Sequence, residues 1–194
     1  MKKSIARAFC IVLLGITTII FIGCGNSDFD DQFLLNSSRI ASEQNVQDVN
    51  SSICTKNGFE LVLFSDKDVY STADIIEIWA TLEYVGNNDT VTIWSGIPYI
   101  SFSITDGKDF NSGGITFPVL MSTVLEKGEL YYFNYQKSGS YDANVEFWEK
   151  FYDEEDLLLP VGEYTITVHG DFSLTEKIVD SQSGLLCELR INIV

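Results

Sequence analysis

From Ile76 to Tyr84 the chain alternates without a break: Ile76, Ile78, Ala80, Leu82 and Tyr84 take turns with Glu77, Trp79, Thr81 and Glu83. A period of two sends successive side chains to opposite sides of an extended backbone, so this stretch is a strand with one wetted face. The same pattern on a helix would scatter its apolar residues around the whole circumference. Further alternating runs follow at Val91 and Ile93, at Ile100, Phe102 and Ile104, and at Tyr131, Phe133 and Tyr135. Tyr164, Ile166 and Val168 form another, and Leu185, Cys187, Leu189, Ile191 and Ile193 close the chain. Gly86-Asn87-Asn88-Asp89, Asp106-Gly107, Gly128-Glu129 and Gly162 separate the runs, and Gly, Asn and Asp tolerate the positive φ of tight turns. Short strands at this spacing predict an all-β fold, an antiparallel β-sandwich with a single core over residues 53–194.

One stretch departs from period two. In "DANVEFWEKFYDEED", Phe147, Trp148, Phe151 and Tyr152 fall at i, i+1, i+4 and i+5, the stripe of an amphipathic helix. Asp142 or Asn144 is placed to cap its start. Asp153 to Asp156 is disfavoured at a helix C-terminus, so one short inserted helix over residues 143–152 is predicted to end there.

The opening of the chain carries a different signal. Lys2, Lys3 and Arg7 precede an apolar run, Phe9 to Ile22, that is short for a membrane span of about 20 residues. A basic head, a short apolar stretch and a small residue before a cut make an export signal. Phe21-Ile22-Gly23-Cys24 resembles the lipobox of bacterial lipoproteins, which implies lipidation of Cys24 and removal of residues 1–23 as a signal peptide. The expected address is extracytoplasmic, in the cell envelope, with the membrane engaged through the anchor at Cys24. Two or more acyl chains hold stably where one holds marginally. Residues 24–52 are rich in Asn, Ser, Asp and Gln and read as a flexible tether, with a reach of about 30 Å. Cleavage would leave nine Lys+Arg against 28 acids, a net charge of −19. That surface excludes nucleic acid as a partner, because phosphate binding needs basic patches.

Two cysteines remain beyond Cys10 and Cys24. Cys54 and Cys187 are an even pair in an exported chain, the pattern of a disulfide. Parity argues the other way: unbroken extension gives Cys54 the phase opposite to Phe59, Leu61 and Leu63, unless Gly58 interrupts it. Both outcomes stay open at this point.

Nothing in the chain reads as catalytic. His169 is the only histidine, and His169 with Asp171 reads as a hydrogen-bonded loop residue rather than a base and its orienter. HExxH, paired CxxC, GxSxG and phosphate-loop patterns are all missing, so no cofactor, metal centre or enzymatic activity is expected. Asp66 and Asp68, Asn87 to Asp89, Asp106 and Asp109, and Asp153 to Asp156 lie in predicted loops, where calcium is the alternative to solvation.

Aromatic residues give the sharper expectation. Trp79 and Trp94 both have outward parity. A hairpin around Gly86 that sets Leu82 against Ile93 would bring the two indoles together on one face. Such a pair can stack sugar rings or anchor a macromolecular partner.

"LLLPVGEYTITVHG" resembles the corner before a late strand in immunoglobulin-like domains. That resemblance implies an immunoglobulin-like sandwich in which Tyr164 is the corner tyrosine, its hydroxyl bonding to upstream backbone. With "KDVYSTADIIEIWATLEYVGNNDTVTIWSG", "YISFSITDGKDF" and "VLEKGELYYFNY", it is similar to the bacterial intracellular proteinase inhibitor family of bacilli and its extracytoplasmic relatives. The likeness covers residues 60–172 and rests on Ser95-Gly96, Asp106-Gly107, Gly128-Glu129 and Gly162-Glu163-Tyr164. The leading expectation is a cell-surface lipoprotein whose domain binds another macromolecule, a protein or a polysaccharide. The resemblance implies proteinase inhibition as one alternative, and the tryptophans make a carbohydrate-binding module another.

Overall fold

A computed structural model describes residues 49–139, 146–178 and 182–194, and in them the alternating runs pair into two sheets. The elements are β1 (Asn50–Lys56), β2 (Phe59–Ser65), β3 (Val69–Tyr70), β4 (Ile78–Tyr84), β5 (Thr90–Thr105), β6 (Asn111–Gly113) and β7 (Phe117–Glu126). They continue with β8 (Leu130–Asn134), the helix α1 (Glu146–Asp153), β9 (Gly162–Ser173) and β10 (Leu185–Ile193). The first sheet has the order β1-β2-β4-β8 and is antiparallel throughout. The second has the order β3-β10-β9-β5-β6, with β7 also on β5. Among the described residues the fold is all-β with one short helix. One pair departs from the antiparallel expectation: β3 runs parallel to β10, because the chain leaving β2 crosses to the other sheet instead of turning back.

The inner faces are where period two becomes a core. Phe59, Leu61, Leu63, Ala80 and Leu82 from the first sheet are fully buried, as are Ile93, Ile104, Ile166, Val168 and Cys187 from the second. Every second residue of β10, from Leu185 to Ile193, is buried and the residues between face outward.

β1 corrects the expected tether boundary. Asn50 to Ser52 are strand residues paired with Ser65, Phe64 and Leu63, so the domain begins before residue 53. Residues 24–48 of the tether lie outside the described residues. Asn57 and Gly58 close the β1–β2 hairpin with φ of 54° and 80°, the left-handed pair of a tight two-residue turn whose twist matches the flanking strands. Across an antiparallel hairpin, partners share a face whatever their separation along the chain. Cys54 therefore lies opposite Leu61 on the inner face, and the turn removes the parity objection.

β5 switches phase within one strand. Val91, Ile93 and Ser95 face inward before Gly96, whereas Ile100, Phe102 and Ile104 do so after it. The register breaks between Ser95 and Ile100, around Gly96 and the cis Ile97–Pro98 bond. A Cβ on Gly96 would sit 2.7 Å from the Phe117 carbonyl oxygen and 2.6 Å from Thr116 Cγ2, so only glycine admits the approach of β7.

The helix lies close to its predicted place, with a rotated stripe. Phe151 is buried and Trp148 and Tyr152 half-buried, but Phe147 is 41% exposed. Phe110, at the β5–β6 turn, is the anchor: Trp148 stacks on it at 5.2 Å, and Phe151 and Tyr164 meet it edge-on at 5.5 Å. Lys137 Nζ donates to the carbonyls of Phe151 and Glu154, both at 2.7 Å, and so satisfies the helix C-terminus with a cation. The candidate caps Asp142 and Asn144 lie outside the described residues.

Candidate functional site

The outer face of the first sheet follows from its register. One row across the strands reads Ser51, Phe64, Trp79 and Asn134. The next reads Ile53, Val62, Thr81 and Tyr132, and the third Thr55, Glu60, Glu83 and Leu130. Phe64 and Trp79 stack with centroids 5.3 Å apart and planes 9° from parallel. Both rings and Tyr132 are half-buried, while Ile53 is 62% exposed and Leu130 48%. Thr81 beneath them is buried. The result is an aromatic and aliphatic surface edged by the carboxylates of Glu60 and Glu83.

The hairpin expected to join the two tryptophans does not form. β4 pairs with β2 and β8, not with β5, so Trp79 and Trp94 sit on different sheets. Gly86 to Asp89 carries the chain between sheets instead of turning it back, and Val85 N bonds to Gly58 O at 2.8 Å. Trp94 is half-buried, opposite Ser122 of β7 and Ser173 of β9. The neighbours of Trp79 are thus Phe64 and, diagonally, Tyr132. Their signal was present in the sequence: with Leu61 and Leu63 inward, Phe64 must face outward, and Tyr132 separates the inward Tyr131 and Phe133.

The other named residues have structural partners. Tyr164 Oη donates to the Pro160 carbonyl at 3.0 Å, four residues upstream, in the geometry of a tyrosine corner. Cys54 and Cys187 form a disulfide with Cα atoms 5.7 Å apart, tying the first sheet to the second. His169 lies within β9 and not in a loop, and its Nε2 is 3.3 Å from Ser103 Oγ. Asp171 Oδ2 accepts from Ser101 Oγ at 3.3 Å.

Three loop aspartates spend their carboxylates on neighbouring amides and a hydroxyl. Asp106 Oδ1 accepts the amides of Lys108 at 2.8 Å and Phe110 at 3.0 Å, which hold its carboxyl below the usual range, the Lys108 bond most. Asp66 Oδ1 accepts Tyr70 Oη at 2.6 Å and the amide of Glu77 at 3.0 Å. Asp74 is likewise held low by the Ser71 amide at 2.9 Å. Among the described residues no group of three or more His, Cys, Asp or Glu side chains is placed to hold a metal ion. Cys24 lies outside them, and among them no helix is long and apolar enough to cross a membrane.

No family model and no curated protein matches the chain. Among solved structures, a β-glucosidase from Erythrobacter marinus is similar at 14% identity and a TM-score of 0.36. The match covers 75% of this chain and 16% of that one, so the chain spans less than a fifth of the enzyme's length.

Proposed function

We propose that this chain is a lipid-anchored envelope protein that binds a protein partner through the outer face of its four-stranded sheet. The carrying observation is the stacked Phe64–Trp79 pair, set beside Val62, Ile53 and Tyr132 on one open surface. Half-exposed aromatic rings with an apolar surround are the residues that dominate protein interfaces. The stacking also weighs between partner classes. Phe64 and Trp79 each give one ring face to the other, which favours insertion of their edges into a pocket over sugar stacking on a broad flat platform. A run of export, acylation at Cys24 and a tether of about 30 Å reach would present that face clear of the lipid headgroups.

The test compares capture of partners from envelope extracts by the natural chain, Trp79→Ala and Trp94→Ala. Loss of the captured protein with Trp79→Ala alone supports the reading. Equal capture by all three removes it, and retention on a glycan array that depends on Trp79 replaces the protein partner with a polysaccharide.

A further inference from the structure

We infer that a second copy of this chain pairs along β7, joining two sandwiches edge to edge through their second sheets. β7 is the outermost strand beside the first half of β5, and among the described residues no strand pairs with its other edge. It is ten residues long, and nothing between Gly113 and Leu125 carries a charge. Phe117 is 63% exposed, Val119 52%, Leu120 47% and Val124 59%, so apolar side chains stand open on both faces of the strand. An exposed, long, uncharged edge is what sheet proteins ordinarily avoid, by shortening the edge or charging it. The other edges are shorter: β3 has two residues, β6 three, β8 five and β1 seven.

The occupant is identified by charge, symmetry and area. The chain carries a net charge of −16, so two copies repel over most of their surfaces. β7 is where they can meet without opposing acids. In antiparallel pairing about a two-fold axis, Glu126 of one copy lies across from the uncharged Phe117 end of the other, whereas parallel pairing would oppose Glu126 to itself. A strand of this length is about 33 Å long and roughly 15 Å deep with its side chains. It presents on the order of 500 Å² per copy, about 1,000 Å² in all, at the lower limit of a specific interface. Pro118, near the start of the strand, removes one backbone donor and leaves the central stretch intact. The resulting dimer is weak, dissociating in the micromolar range. Higher salt should tighten it by screening the acidic bodies.

The experiment is sedimentation equilibrium of the full chain in density-matched detergent, with Leu120→Lys/Val124→Lys as the interface variant and Val69→Lys as the control on another edge. Amide exchange over residues 117–126 at two protein concentrations reads the same event without a substitution. The expected result is a concentration-dependent dimer that the β7 lysines weaken at least tenfold and Val69→Lys leaves unchanged, with β7 amides slowing as concentration rises. A monomer at about 100 μM, a dimer indifferent to the β7 lysines, or β7 amides equally protected at every concentration would each overturn it.

Discussion

The two sheets share one kind of inner face and have opposite outer ones. On the first, stacked Phe64 and Trp79 rise beside Ile53, Val62 and Tyr132. On the second, the rows read Ser101–His169–Leu186, Ser103–Thr167–Glu188 and Thr105–Thr165–Arg190. Two bonds cross it, Ser103 to His169 and Ser101 to Asp171, both at 3.3 Å. Over β5, β9 and β10 this face is mostly polar, and most of the second sheet's exposed apolar side chains gather at Leu186 and along the β7 edge. The aromatic one leaves apolar surface in water, which folding alone does not require. Core formation constrains one side of each strand, and the other is free to diverge toward a task.

The strongest way to break this comparison is to cut the covalent tie between the sheets. Cys187→Ala should cost about 2–5 kcal/mol, since the Cys54–Cys187 bond spans 133 residues of chain. Urea unfolding with and without reductant measures it, and two reactive thiols in unfolded, unreduced protein would show that the tie does not form. Next comes an attack on the second sheet only. Gly96→Ala should lose roughly 1–3 kcal/mol through the clash with the Phe117 carbonyl. The partner binding proposed for the first sheet should survive at temperatures where the variant is folded. A sharper and smaller effect distinguishes the faces themselves. Trp79→Ala should lose about 1–2 kcal/mol and the bound partner together. Trp94→Ala should leave the partner in place.

The smallest effect probes how closed the gap between the sheets is. Burial pushes the Tyr135 phenol up to about 12. A phenol raised in the folded state contributes stability below its ordinary pKa of about 10, and that contribution fades as pH climbs through the folded value. Alkaline unfolding should therefore start between about pH 10 and pH 12, and Tyr135→Phe should shift its midpoint upward. An unshifted midpoint would mean that Tyr135 does not take part.

Much of the architecture could be read from the residues, because alternation reports directly which side chains are inside. Leu185 to Ile193 is buried and exposed in the order its sequence dictates. Alternation does not report which strands pair, and this defeated the hairpin that would have joined Trp79 to Trp94. β1 was hidden for another reason. Asn50, Ser51 and Ser52 have the composition of a linker, and their strand conformation comes from bonding to β2 across the Asn57-Gly58 turn. That dipeptide is a strong hairpin signal, and it carried both the missing strand and the correct phase of Cys54. The phase change in β5 depends on how closely β7 approaches Gly96, a contact that no local pattern records. Phe64 obeys the same alternation, which turns Phe59, Leu61 and Leu63 inward and therefore Val62 and Phe64 outward, but its ring partner Trp79 comes from β4 and depends on the pairing.

The disulfide also sets a path for mechanical load. Tension applied ahead of Asn50 would peel β1 from β2 only as far as Cys54, where the strain passes across a covalent bond into β10. Residues 55–186, including β2 and β4, lie inside that closed loop, so the load on Cys54 is shared between two covalent routes into the domain. A protein held by one end, in a stream or between two surfaces, would lose Asn50 to Ile53 from the sheet, and of the apolar outer face Ile53 alone, before the bond took up the load.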